Sequence, residues 1–211
     1  MIKAIIFDYD GVIADSVLVK TEAFADMFKQ YGQDVVKQVV DHHEANGGVS
    51  RFEKIKKYYE EFVGIELSPE DNQRAINQFS SLVLENVIKS PLVPGIVEFL
   101  EKYQDNYAMF ISTGTPTEEM NTILKQVELS QYFKGVYGSP EDKVTHIDKI
   151  MRSTGYKPED MIFIGDALTD RDAARARGLT FIGRYTTNPE ILEETHRIED
   201  FIGFKEVLEK L

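Results

Sequence analysis

The sequence of 211 residues predicts an α/β fold: a doubly wound parallel sheet with an inserted helical domain. Three observations carry that prediction. Short, continuously apolar runs recur along the chain, and such runs mark strands buried on both faces. Helical patterns alternate with them, as right-handed βαβ units require. Between the first and second runs the rhythm stops, and a long stretch carries helical periodicity alone.

The elements follow in chain order. KAIIF, around Ile5, is the first strand, and it runs into Asp8-Tyr9-Asp10-Gly11. The inserted block, 16–91, holds four helical stretches at 16–31, 35–44, 51–63 and 69–88. In the last of these Ala75, Ile76, Phe79, Leu82, Val83 and Val87 form one apolar stripe. SPLVPG, with Pro91, Pro94 and Gly95, reads as the hinge back to the sheet domain, which comprises 1–15 and 92–211.

YAMFIS is the second strand and ends in Ser112-Thr113-Gly114. Thr115, Pro116 and Glu118 then read as an N-cap, a first-turn proline and an N3 acid, with Met120, Ile123, Leu124 and Val127 at helical spacing. GVYG, near Val136, is a short third strand. Ser139-Pro140-Glu141-Asp142 reads as another helix opening, with Lys143 in the first turn and Val144, Ile147 and Met151 on one face. MIFIG is the fourth strand, ending in Gly165-Asp166, and TFIG near Phe181 is the fifth.

Bulk composition narrows the function classes. A formal charge of −12 argues against nucleic acid or an anionic membrane as the main partner, since both call for a basic surface. The absence of cysteine excludes disulfides, thiolate catalysis and cysteine zinc sites. No run reaches the roughly 18 apolar residues of a membrane span, and no signal pattern opens the chain, so the cytoplasm is the expected compartment.

Ligands of doubly wound sheets bind at the carboxyl ends of the strands. Those ends carry Asp8 and Asp10, Ser112 and Thr113, and Asp166 with Asp170 four residues on; Lys143 opens the helix after the third strand. Acids gathered at one edge need a cation, and hard oxygen ligands without His or Cys suit Mg²⁺. A metal, a lysine and a hydroxyl together fit a phosphate. One aspartate can then act as nucleophile and the second, two residues on, as general acid/base. A calcium loop is excluded because Gly11 comes too early and a strand precedes it. His42 and His43 are adjacent, a poor ligand spacing, and read as surface or insertion residues. YYEEF, 58–62, reads as core packing.

Asp8-Tyr9-Asp10-Gly11, Thr113, Lys143 and Gly165-Asp166 with Asp170 together resemble the four motifs of the haloacid dehalogenase superfamily, in order and in context. The resemblance implies Asp8 as nucleophile, Asp10 as general acid/base, and Mg²⁺ held by Asp8, the Asp10 backbone carbonyl and Asp166, with Asp170 supporting. It implies Thr113 and Lys143 as holders of the transferring phosphoryl group, with Gly114 beside them; Ser112 remains an alternative hydroxyl. The insertion resembles the C1-type helical cap of this superfamily, and Gly48-Val49-Ser50-Arg51 resembles the cap loop of the β-phosphoglucomutase group, whose arginine grips a phosphate.

Asp10 departs from the dehalogenase, phosphonatase and P-type ATPase patterns and favours a phosphomonoesterase or phosphomutase. Lys20 stands where the mutase pattern has a histidine, and Gly165 replaces the first residue of its Glu-Asp pair; both favour hydrolysis. The expected substrate is a small phosphorylated metabolite, a sugar phosphate or a phosphoglycolate-like compound. Lys20 and Arg51 are candidate cations for a second anionic group on it. A phosphomutase, a silent phospho-ligand-binding protein and a scaffold remain the alternatives.

Overall fold

The computed structural model describes residues 1–184 and 189–211, so 185–188, inside the segment assigned to the sheet domain, lie outside the described residues. Strands β1 (Ala4–Phe7), β2 (Ala108–Pro116), β3 (Gly135–Ser139), β4 (Met161–Gly165), β5 (Thr180–Arg184) and β6 (Arg197–Ile198) form one parallel sheet in the order β3-β2-β1-β4-β5-β6. The order reverses at β1 and β4, where Ala4 pairs with Met161 and Phe7 with Ile164. Asp8 and Asp166 therefore leave the sheet side by side at the switch point.

Alternation within each strand splits the core into two layers. Ile5, Phe7, Met109, Ile111, Ile162 and Ile164 face a large layer, which helix α5 (Ile96–Tyr103) and the C-terminal Phe201 and Phe204 complete. Ala4, Ile6, Phe110, Met161 and Phe163 face the other, against Ile147 and Ile150 of α7 (Lys143–Thr154) and Ala173 and Ala174 of α8 (Leu168–Ala176). Burial on both faces is why these strands read as unbroken apolar runs.

Between β1 and β2 lie α1 (Val17–Phe28), α2 (Gln33–Ala45), α3 (Arg51–Lys57), which continues as a π turn over Tyr58–Val63, and α4 (Pro69–Lys89). Their interior is aromatic: Phe24 lies 4.1 Å from Phe79 and 5.3 Å, edge-on, from Tyr58, centroid to centroid. Tyr58 and Tyr59 are buried, so the tyrosine pair is packing, as the sequence implies. The two ends of this block run side by side, with Asp15 N–H donating to Pro91 O and Val93 N–H to Ile13 O, each at 2.9 Å.

Two helix starts differ from expectation. Helix α6 spans Thr117–Gln126, because β2 continues through Pro116, which pairs with Ser139 of β3. Thr115 is thus a strand residue whose hydroxyl is occupied by Lys20 rather than a helix cap. Helix α7 begins at Lys143, capped by Asp142, three residues later than Ser139: Asp142 accepts the Thr145 N–H at 2.7 Å. The sixth strand, in HRIED, has no apolar run to announce it. Helix α5 did carry a signal, since Ile96, Phe99, Leu100 and Tyr103 repeat at helical spacing.

His146, on α7, is fully buried, with Nδ1 2.9 Å from Ser112 Oγ and Nε2 3.2 Å from Gly138 O. Burial lowers its pKa to about 4. A histidine held neutral in the fold but charged when unfolded contributes stability above pH ~6.5 that is lost as pH falls toward 4. Urea midpoints are expected to fall across that window, and His146→Gln should remove close to one proton's worth of the slope, about 1.4 kcal/mol per pH unit.

Candidate active site

At the switch point Lys143 Nζ, buried, donates to Asp8 Oδ2 at 2.8 Å and also to Asp170 Oδ1. Asp8 Oδ1 accepts the Tyr9 N–H at 2.6 Å, and Asp170 Oδ2 accepts the Ala167 N–H at 3.1 Å. Burial opposes the charge on Lys143, but Asp170 and Asp8 outweigh it and raise the lysine above its ordinary range. Asp166 completes the group: carboxylate oxygens of Asp8, Asp166 and Asp170 lie within 4.8 Å of one another. Burial, then the charges of Asp8 and Asp170, push the Asp166 carboxyl well above the usual range.

That excess of acid is the structural test for a metal, and the residues fit one. The donors are all oxygen, and an added cation would relieve the repulsion that raises Asp166. Gly11 makes room for that carboxylate. Its φ is +77°, and a Cβ there would collide with Asp166.

Asp10 stands apart from the cluster. Its Oδ1 accepts from Ser16 Oγ at 2.7 Å and its Oδ2 from Lys20 Nζ, which also donates to Thr115 Oγ1 at 2.8 Å. Burial would raise the Asp10 carboxyl, but the Lys20 charge and the Lys20 and Ser16 hydrogen bonds hold it below the usual carboxylate range. From sequence Thr115 reads only as a helix cap, and Ser16 has no role at the site. Both lie within a few positions of a motif, and nothing local shows that they share one carboxylate.

Asp8, Asp10, Lys20, Arg51, Thr113, Gly114 and Asp166 line one cavity of about 590 Å³ between the sheet's carboxyl edge and α1–α4. Thr113 belongs to that wall, whereas the Ser112 hydroxyl points to His146. Lys143 opens to a neighbouring cavity of about 360 Å³, and Thr113, Gly114 and Gly48 border both. The loop at Gly47–Gly48 sits on the sheet edge: Thr169 Oγ1 donates to Gly47 O at 2.9 Å. A Cβ on Gly114 would lie 2.6 Å from Gly48 O, so only glycine permits this approach.

Both candidate cations for a second anionic group already hold carboxylates of the chain. Lys20 pairs with Asp10. Arg51 makes a two-pronged contact with Glu119 of α6, at 2.8 and 2.6 Å, donates to Ser80 Oγ, and lies over the Phe79 ring. Glu119 is 68 residues away in sequence, so no local signal could have paired it with Arg51. His43, read as a surface or insertion residue, lies on α2 of the insertion and is buried rather than at the surface, with Nδ1 2.9 Å from Lys54 Nζ.

A parallel sheet whose reversed strand ends carry a carboxylate cluster, a bridging lysine and a roofed cavity defines an α/β enzyme working on a small ligand. The chain belongs to the haloacid dehalogenase-like hydrolase family, whose model matches residues 5–184. It is 26% identical over 188 residues to phosphoglycolate phosphatase 1 of Pseudomonas aeruginosa, covering 84% of this chain and 67% of that one. It is 24% identical over 185 residues to the phosphorylated carbohydrates phosphatase of Thermotoga maritima, with 84% and 82% covered. The fold is that of β-phosphoglucomutase from Clostridium difficile (TM-score 0.80, 21% identity, 100% and 97% covered). A hydrolase from Pseudomonas syringae is similar to the same degree (0.79, 20%, 99% of each chain). Among the described residues no helix is long and apolar enough to cross a membrane.

Proposed function

We propose that the protein is a Mg²⁺-dependent phosphatase of small phosphorylated metabolites, acting through an aspartyl-phosphate on Asp8. The observation that carries this reading is the placement of Asp8. Its carboxylate is oriented by Lys143 and the Tyr9 N–H, lies beside Asp166 and Asp170, and opens onto a cavity shared with Asp10 and Thr113. The phosphatases among the relatives agree with it.

Asp8, Asp166 and the Asp10 backbone carbonyl would hold the metal, with Asp170 supporting; when bound, it supplies positive charge for the phosphoryl oxygens. An Asp8 oxygen attacks phosphorus, forming a new P–O bond while the bond to the leaving alcohol breaks. Asp10 gives the leaving oxygen a proton. Water then attacks the aspartyl-phosphate, Asp10 takes the water's proton, and phosphate departs with Asp8 restored. The Lys20 and Ser16 contacts favour the ionised Asp10 that the second step uses as base, and the proton it takes from water there is the one it gives to the leaving oxygen of the next turnover. Thr113 and Lys143 hold the phosphoryl oxygens. Residues 16–91 act as the cap, opening about the paired segments at 13–15 and 91–93.

Hydrolysis of p-nitrophenyl phosphate tests the reading: turnover is expected with Mg²⁺ and none with EDTA. Turnover unaffected by exhaustive chelation would refute the metal assignment, and none with any divalent cation would refute the phosphatase. Because a cation relieves the Asp8–Asp166–Asp170 repulsion, Mg²⁺ should also raise the thermal midpoint, by about 2.7 kcal/mol of stability at 100 times its dissociation constant.

A further inference from the structure

Lys54, at the fourth position of α3, is only 2% exposed, yet it lines the cavity that holds Asp8 and Asp10. Its ammonium has two hydrogen-bond partners, His43 Nδ1 at 2.9 Å and His43 O at 3.4 Å. A lysine carries three N–H donors, so one remains. Among the described residues no carboxylate forms an ion pair with it, unlike Lys20 and Arg51, which hold Asp10 and Glu119. A buried cation without a counter-charge is costly, and an anion entering from the cavity offsets that cost.

We propose that Lys54, buttressed by His43, is the specificity-determining residue of this site and binds a carboxylate on the organic part of the phosphorylated substrate. The inference rests on the phosphatase reading for its substrate class. A carboxylate fits better than a second phosphate because, among the described residues lining the cavity, Lys54 is the lysine or arginine without a carboxylate partner, and one negative charge matches it; a phosphate dianion would leave charge uncompensated. Burial, then Lys20, lowers the Lys54 ammonium to about 7, and burial with the Lys54 charge holds His43 neutral, so its Nδ1 accepts the lysine's hydrogen bond. The His43 ring is fixed in turn against Phe24, at 4.9 Å between centroids. An anion bound to Lys54 keeps it charged.

The test is the ratio of kcat/KM for phosphoglycolate to that for its neutral amide. The wild-type protein should favour the acid by about tenfold or more, and Lys54→Met should lower the ratio by at least about tenfold, chiefly through KM; Lys54→Arg should keep most of it. A ratio unchanged in Lys54→Met overturns the proposal. If that variant does not fold, Lys54→Gln and Lys54→Arg make the same comparison. Calorimetric titration of the wild-type protein with phosphonoacetate and with phosphonoacetamide supplies a second readout, and equal affinities overturn the proposal as well. Selective binding of phosphonoacetate by a protein that hydrolyses no phosphomonoester would refute the phosphatase and keep the subsite. A phosphatase with equal kcat/KM on acid and amide would refute the subsite alone.

Discussion

Replacing Asp8 by Asn is expected to lower phosphatase turnover by at least about 10⁴-fold while leaving the fold intact. The amide has the shape of the carboxylate and keeps an oxygen for the Tyr9 N–H, but it carries no anionic oxygen to attack phosphorus. Lys143 loses one acceptor and keeps Asp170, so it does not become a stranded cation. The check is steady-state hydrolysis of p-nitrophenyl phosphate with Mg²⁺, alongside thermal unfolding. Turnover within tenfold of wild type would end the case for Asp8 as nucleophile. Loss of activity with a collapsed melting point would leave the role to be read from a second substitution, Asp8→Glu, which keeps the charge but displaces the attacking oxygen.

Lys143→Met should have the largest effect on stability. The lysine is buried between Asp8 and Asp170, and removing one member of a buried ion cluster leaves uncompensated charge, typically at a cost of about 3–5 kcal/mol. For a chain of this length that corresponds to a melting point lower by roughly 10 °C. The deficit should depend on pH. Burial and Asp8 already raise Asp170 to about 7 against the lowering by Lys143. A carboxyl whose folded pKa lies above its unfolded value contributes stability below pH ~4 that is lost as pH rises through the folded value. Without Lys143 the carboxyl moves further up, so the variant should approach wild type near pH 5 and fall furthest behind above pH 8. Added Mg²⁺ should restore part of the difference. Denaturant midpoints across pH, with and without Mg²⁺, decide it; a deficit that does not vary with pH would mean that lost packing outweighs lost charge.

The legible parts of this protein share one property: their cause is local. Ile5, Ile6 and Phe7 form an unbroken apolar run because both faces of β1 are covered. Ala75, Ile76, Phe79, Val83 and Val87 recur on one face of α4 because a helix turns every 3.6 residues. The acids at 8, 10, 166 and 170 were visible as strand-end residues, since parallel strands put their carboxyl ends on one edge.

What escaped the sequence was pairing across it. Nothing near Lys20 announces that it will hold Asp10 and Thr115, nothing near Arg51 points to Glu119, and adjacent histidines give no hint that His43 is buried on Lys54. The sequence by itself determined the parallel sheet, the helical insertion and the identity of the acids and lysine at the strand ends, because periodicity and strand-end chemistry are properties of neighbouring residues. Only the tertiary structure decided that Lys20 and Arg51 are already neutralised, while Lys54 has no carboxylate partner among the described residues. An ion pair depends on distances of a few ångströms, and those are set where α1, α3 and α6 converge over the sheet.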